Sequence, residues 1–310
     1  MKQLLLKLCL FFICCLAITT FVLVQYGGNV DYFYQKFTTP KAVSMVIGDS
    51  RSMQGIQPRV INERLKELEY ELPIFNYSLT IAETPIGPLY NKSIEKKLDE
   101  TSKNGVFIIS VTPWMFGSDK NNDHSKGEFR EAGRPPHNMS FVNVNPNYEY
   151  LFKNLTYFHF KALFRKTSTM HKDGWLEENN LPTNPKVFDE WKKRQGRLFD
   201  KMIRNYKVSS LRLNSLDDLI KKLKKHGSVY MVRMPIDLDF VAVENSFYQN
   251  FDKDMNTVAT SNQIDYFNFN VSSTHTNFKT YDGHHLDKHG GLEFTGILCD
   301  SIIRSVSKLK

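Results

Sequence analysis

The chain predicts an α/β protein, a three-layer parallel sheet with helices on both faces, preceded by one N-terminal transmembrane helix. Three observations carry that expectation. Leu4 to Val24 is apolar apart from Lys7, Thr19 and Thr20, and about 20 such residues span a hydrocarbon core. Beyond it, short apolar runs alternate with longer stretches of helical periodicity. The short runs are apolar at successive positions rather than at every second one, as strands covered on both faces are.

Taken in order, residues 1–25 read as a signal anchor. Lys2 and Lys7 lie at its N-terminal end and Asp31 is the first charge beyond it. The positive-inside rule then leaves the N-terminus in the cytoplasm and the rest outside. A cleaved signal peptide is the competing reading, but Phe21 to Tyr26 is bulky throughout and offers no small-x-small site. Residues 26–40, with Gly27, Gly28 and several aromatics, read as a juxtamembrane stem, and 41–310 as the folded domain.

Within that domain Ala42–Ile47 is the first strand. Pro58–Leu72 has Val60, Ile61, Leu65 and Leu68 at helical spacing, with Pro58 suited to the first turn. Ile74–Tyr77 is a second strand, Pro88–Ser102 a polar-faced helix, and Val106–Val111 a third strand. From about 114 to 183 the chain is rich in Asn, His, Pro and aromatics, an insertion near the C-terminal edge of the sheet, where such folds bind ligands. A long helix over Pro185–Tyr206, a helix capped by Ser215 and running to His226, strands at Ser228–Met234 and Ile264–Phe269, and a closing helix over Gly291–Val306 complete the set.

Composition excludes more than it identifies. The 310 residues are 41% hydrophobic and 24% charged, with no low-complexity tract, so a packed core is expected rather than disorder. The net charge of +8 is scattered, without zinc spacing or a nucleic-acid module, and fits an anionic envelope polymer or lipid headgroups rather than nucleic acid. Cys9, Cys14 and Cys15 lie in the anchor and Cys299 stands alone, so no disulfide within the domain is expected. Five Asn-x-Ser/Thr tripeptides (at Asn76, Asn91, Asn138, Asn154 and Asn270) read as incidental to an Asn-rich chain.

The first strand runs straight into Gly48-Asp49-Ser50-Arg51. In a parallel sheet that point faces the ligand crevice. A serine hydroxyl needs a base to take its proton, and the base needs an orienting carboxylate. Tyr281-Asp282-Gly283-His284-His285-Leu286-Asp287 supplies both, just before the last helix. The loop opens at the same edge of the sheet as Ser50. Here the chain resembles the SGNH (GDSL-like) hydrolase superfamily: Gly48-Asp49-Ser50 matches its first block and Asp282-x-x-His285 its last. The resemblance implies Ser50 as nucleophile, His285 as base and Asp282 as its orienter. It also implies an oxyanion hole from the backbone N–H groups of Ser50 and of Ser78, which stands where the family has Gly. Val111-Thr112-Pro113-Trp114 has no Gly-x-Asn, so the third donor is unassigned. Anchored members with Gly-Asp-Ser-Arg and Asp-Gly-x-His are similar to the extracytoplasmic proteins of alginate O-acetylation and teichoic-acid D-alanylation.

The implied function is a serine esterase or O-acyltransferase on an acyl ester of an envelope glycan or lipid, partnered by the membrane and by a membrane-bound acyltransferase. No metal and no organic cofactor is expected. The alternative is a non-catalytic anchored glycan-binding or scaffold subunit. Arg51 either binds a substrate anion or, the preferred reading, pairs with Asp49, which holds the loop through backbone N–H groups. His284 is the alternative base to His285. His275, Asp282, His284, His285, Asp287 and His289 form a metal-ligand-like set, for which a solvated polar loop is the commoner outcome. His124, His137 and Arg134 read as surface residues; Trp114, Phe116 and Tyr148 either line a carbohydrate groove or pack the insertion down.

Overall fold

The structure is a computed structural model and describes residues 1–30, 33–154, 167–271 and 278–309. Helix α1 spans Lys2–Val30; its segment Lys2–Gln25 is long and apolar enough to cross a membrane. The described strands β1 (Ser44–Ile47), β2 (Ile74–Asn76), β3 (Gly105–Ser110), β8 (Gly227–Arg233) and β9 (Asp265–Asn268) make a five-stranded sheet in the order β2-β1-β3-β8-β9. Every pairing in it is parallel.

Burial on both faces follows from alternation along the strands. Met45, Ile47, Phe107, Ile109, Val229 and Met231 share one core with helices α4 (Pro88–Lys97), α7 (Ser210–Leu223) and α9 (Phe251–Asn262). Val46, Val106, Ile108, Tyr230 and Val232 share the other with α3 (Pro58–Arg64) and α10 (Lys288–Leu309). Because β1, β3 and β8 are covered on both faces, each carries a continuous run of buried apolar residues, whereas the edge strand β9 is only partly buried and polar at both ends. The expected strands appear with ends moved by one or two residues. The helix expected to 72 stops at Arg64, and the one expected to 102 stops at Lys97. Helix α7 begins at Ser210 after Ser209, with Ser215 inside it, hydroxyl turned back to the Leu211 carbonyl. Helices α8 (Leu238–Phe247) and α9 were not anticipated.

Two boundaries need correction. The excursion beyond β3 closes where β4 (Gly117–Asp119) pairs antiparallel with β7 (Tyr206–Val208), so it runs past 183 and includes the long helix α6 (Pro185–Asn205). It also holds α5 (Tyr148–Asn154) and the hairpin β5 (Ser168–Met170)–β6 (Leu176–Glu178). Residues 33–40 are no loose stem: Tyr34, Lys36 and Phe37 are buried, with Tyr34 and Phe37 in the same core as Leu23 of α1. Lys36 Nζ donates to the Asn76 and Gly174 carbonyls at 2.6 and 2.5 Å. Lys97 Nζ reaches the carbonyls of Lys36, Thr39 and Val142 at 2.7–3.0 Å.

Candidate active site

Strand β1 ends at Ile47, and Gly48-Asp49 turn the chain into the short helix α2 (Ser50–Gly55). Gly48 is demanded by close packing, since a Cβ there would lie 2.3 Å from Ser52 Oγ and 2.8 Å from Ser110 Cβ. Asp49 caps α2, with Oδ1 accepting from the Arg51 N–H at 3.0 Å and Oδ2 from Thr112 Oγ1 at 2.9 Å. Ser50 therefore opens a helix whose first-turn N–H groups lack intrahelical acceptors.

The 280s loop is tied just as closely. Asp282 Oδ1 accepts from the N–H groups of His284 and His285 at 3.2 and 2.9 Å. Gly283 has φ +94°, and a Cβ there would also strike the Phe240 ring. Thr280 Oγ1 accepts from the Gly283 N–H and donates to Asp237 Oδ1.

The two loops meet. His285 Nε2 lies 2.8 Å from Ser50 Oγ, and His285 Nδ1 lies 2.7 Å from Asp282 Oδ2. An ionised carboxylate only accepts, so Nδ1 carries the ring proton and Nε2 is left to accept from the hydroxyl. Burial alone would raise the Asp282 carboxyl, but His285 and His284 beside it hold it well below the usual carboxylate range. The Tyr281 ring stacks on His285, with centroids 5.7 Å apart, and its hydroxyl bonds Gln54. Trp191 of α6 meets the Tyr281 ring edge-on at 6.0 Å. The line from hydroxyl through imidazole to carboxylate is competent to draw a proton off Ser50.

Behind it lies a layer of buried charge. Arg51 does not pair with Asp49 through its side chain: its guanidinium is 2% exposed, with Nη2 2.6 Å from Glu244 Oε1. It is therefore sequestered from substrate. Glu244 also holds Arg233 Nη2 at 3.0 Å, and Arg233 Nη1 meets Asp252 Oδ2 at 2.6 Å. Arg51 Nε donates to His284 Nδ1 at 3.4 Å. That fixes the tautomer of His284, leaving the proton on Nε2, 3.5 Å from Asp282 Oδ2. Burial, then the neighbouring His285, pushes His284 down to about 3, so it is neutral near pH 7. His284 packs on His285 at 3.9 Å between centroids and does not contact Ser50 within the described hydrogen bonds.

Two site assignments fail on contacts. The Ser78 N–H donates to Asn76 Oδ1 at 3.1 Å, so it is not turned to an oxyanion; its hydroxyl accepts from Ser52 Oγ. Trp114 is no groove residue: it is 1% exposed and stacked between Phe199 and Phe247 at 4.6 and 4.9 Å. Thr112, at the third block, is occupied with Asp49. Phe116 and Tyr148 pack the excursion down, Phe116 against Tyr248 and Phe251, and Tyr148 against α1 through Thr20. His137 and Arg134 are tied to Glu83, and His124 stacks on Phe129.

Of the metal-like set, His275 lies outside the described residues. Ligand atoms of Asp282, His284 and His285 fall within 4.8 Å of one another. The 2.7 Å between Asp282 Oδ2 and His285 Nδ1 is a hydrogen-bond spacing, whereas two ligands of one tetrahedral zinc stand about 3.3 Å apart. The site residues not anticipated from sequence are Glu244, Arg233 and Asp252. Glu244 did carry a signal, a carboxylate among Phe240, Val241, Val243 and Phe247, since a buried acid requires a cationic partner. Compared with protein-family models and with curated proteins, the chain finds no match in either.

Proposed function

We propose that this chain is a single-pass membrane protein whose outward-facing domain is an SGNH-like serine esterase or O-acyltransferase. The observation that carries the reading is the hydrogen-bonded line Ser50–His285–Asp282 at 2.8 and 2.7 Å. Ser50 Oγ attacks the ester carbonyl carbon while its proton passes to His285 Nε2, and the Asp282 carboxylate balances the imidazolium. The imidazolium returns that proton to the departing alkoxide, leaving acyl-Ser50. Water or an acceptor hydroxyl then attacks the acyl group, gives its proton to His285, and frees the serine as the proton returns to Oγ. The Ser50 N–H supports the oxyanion. The substrate class is an acyl ester of an envelope glycan or lipid, with a membrane-bound acyltransferase as the partner that supplies acyl groups. Lys2 and Lys7 at the N-terminal end of the apolar helix favour the outward orientation.

The test is labelling of the full chain in detergent by a fluorophosphonate. A Ser50-dependent adduct is expected. Ser50→Ala and His285→Ala each remove nearly all ester turnover, Asp282→Ala leaves more, and the losses do not add, because the three act as one proton-transfer unit. A specific observation favours a second reading, a non-catalytic glycan-binding or scaffold subunit: the Ser78 N–H is taken by Asn76, and Thr112 has no side-chain amide and gives its hydroxyl to Asp49. One missing oxyanion donor costs about 10²–10³ in rate. Wild-type chain that forms no adduct, while Ser50→Ala retains full function in cells, would establish that second reading.

A further inference from the structure

Among the described residues outside α1, three exposed large apolar side chains fall within one short stretch, where Phe141 is 57%, Val144 42% and Phe152 82% exposed, while Trp191, Leu198, Leu238, Val271 and Leu292 lie elsewhere. Single exposed apolar residues are ordinary, but three gathered at one place mark a contact surface. They are gathered by Phe37 and Asn147. The Val144 N–H and Asn147 Nδ2 both donate to the Phe37 carbonyl, and Asn147 Nδ2 donates also to the Phe141 carbonyl at 3.0 Å. Glu149 of α5 accepts from the Phe141 N–H at 2.8 Å. Phe152 follows Tyr148 by one helical turn and shares its face.

That face is continuous with the apolar helix. The Tyr148 hydroxyl bonds Thr20 Oγ1, and the Tyr34 ring lies against Gly27. Residues 2–18 of α1 are exposed throughout, and cover by the domain begins at Thr19. At 1.5 Å per residue the bare part is about 25 Å long, near the ~30 Å hydrocarbon core of a bilayer. The domain thus begins to cover the helix where the helix leaves the hydrocarbon, and the apolar patch stands beside that point. Ammonium groups flank it: Lys153 Nζ on the Asn138 carbonyl at 2.8 Å and on Glu149 Oε1 at 2.7 Å, and Lys96 Nζ on the Met139 carbonyl at 2.5 Å.

We propose that Phe141, Val144 and Phe152 form a second membrane contact, seated in the interfacial zone of the bilayer that α1 crosses, with the flanking lysines at the headgroup phosphates. This rests on α1 spanning a membrane and is independent of the catalytic reading. Continuity with α1 selects lipid as the occupant: a side chain at the exit of a spanning helix meets acyl chains before it meets anything dissolved. Aromatic bodies with ammonium groups beside them suit that zone.

The test reconstitutes the full chain in phosphatidylcholine–phosphatidylglycerol vesicles, a fraction of the lipid carrying brominated acyl chains. Tryptophan is introduced as Phe152→Trp and, for reference, as Leu238→Trp at an apolar position 63% exposed on α8. The added emission of Phe152→Trp is expected to be quenched several-fold more than that of Leu238→Trp. Equal quenching overturns the proposal, as does an unquenched Phe152→Trp in a chain that sediments as a dimer, which gives the patch to a second copy. The wild-type chain supplies an independent readout. A photoactivatable acyl-chain probe should leave adducts between Phe141 and Phe152 as well as along α1, and adducts confined to α1 would overturn the proposal.

Discussion

Arg51 and Arg233 bury their guanidinium groups against Glu244, with Asp252 on the second arginine, whereas Lys36 and Lys97 bury their ammonium groups among backbone carbonyls. In the first cluster each cation meets a carboxylate, and the planar forks of the arginines fix Glu244 from two sides. In the second no acid is bonded to either ammonium among the described residues, and burial pushes Lys97 down to about 7 and Lys36 well below its usual value. One cluster holds charge rigidly behind the Ser50 loop. The other uses lysine as a donor to tie residues 33–40 to the sheet, a task that a neutral amine also performs. The difference teaches that buried arginines, charged whatever surrounds them, are met here by carboxylates, whereas buried lysines, which can shed a proton, are held by carbonyls.

The sharpest way to break this contrast is Glu244→Gln. It leaves the Arg51 guanidinium, 2% exposed, with no carboxylate and Arg233 with Asp252 alone, and loss of one partner of a buried pair costs about 3–5 kcal/mol. Denaturant unfolding of the full chain in detergent should show that loss. Lys97→Met should cost less, about 1–3 kcal/mol, because it leaves carbonyls unpaired but no bare charge. A Lys97→Met loss as large as that of Glu244→Gln would remove the distinction.

Acidity sharpens it further. His284, held near 3 in the fold against about 6.5 unfolded, is protonated first in the unfolded chain. Stability should therefore fall as pH drops from about 6.5 towards 3, by up to about 1.4 kcal/mol per unit. His284→Leu should flatten that slope, and Asp282 adds to it only below about pH 4. Lys97, near 7 in the fold against about 10.4 unfolded, should add stability as pH rises between those values, again by up to about 1.4 kcal/mol per unit. Lys97→Met should lose that rise. Thermal unfolding across pH checks both arms, and slopes unchanged by the substitutions would refute the assignments. The smallest effect belongs to Trp114→Phe. A ring still lies between Phe199 and Phe247, so only part of the packing is lost and fluorophosphonate labelling of Ser50 is unchanged. A large fall in labelling would restore Trp114 as a substrate contact.

These clusters also mark how far the sequence could be read. The Asp282–His285 pairing was legible because a carboxylate, a glycine and an imidazole within four residues can only turn so many ways. Ser50 was legible because a strand apolar at every position has its end fixed by the sheet. Arg51 was misassigned to Asp49 because its partner Glu244 lies 193 residues away, and no local pattern announces such a pair. The same distance hid α8: its exposed side carries Leu238 and Ala242 beside Asp239, Asn245 and Ser246, and its buried side carries Glu244 beside Phe240, so no clean apolar stripe shows in the sequence. Ser78 was misassigned for the opposite reason: Asn76, two residues earlier, takes its N–H in a local turn that the comparison of blocks ignores. Ser209 and Ser215 both precede apolar residues in α7, and only tertiary contacts decide which of them opens the helix.

The burial of Tyr34, Lys36 and Phe37 has a consequence for how the domain would meet the substrate proposed for it. A flexible stem would let the domain sweep a hemisphere above the bilayer, and each added residue would dilute its reach. A stem folded into the core removes that freedom. With α1 across a bilayer, Ser50 stays at one height, and encounters become a two-dimensional search by lateral drift. On the proposed activity, the governing concentration is then molecules per area of membrane, which favours an ester carried on a lipid over the same ester on a polymer beyond that height.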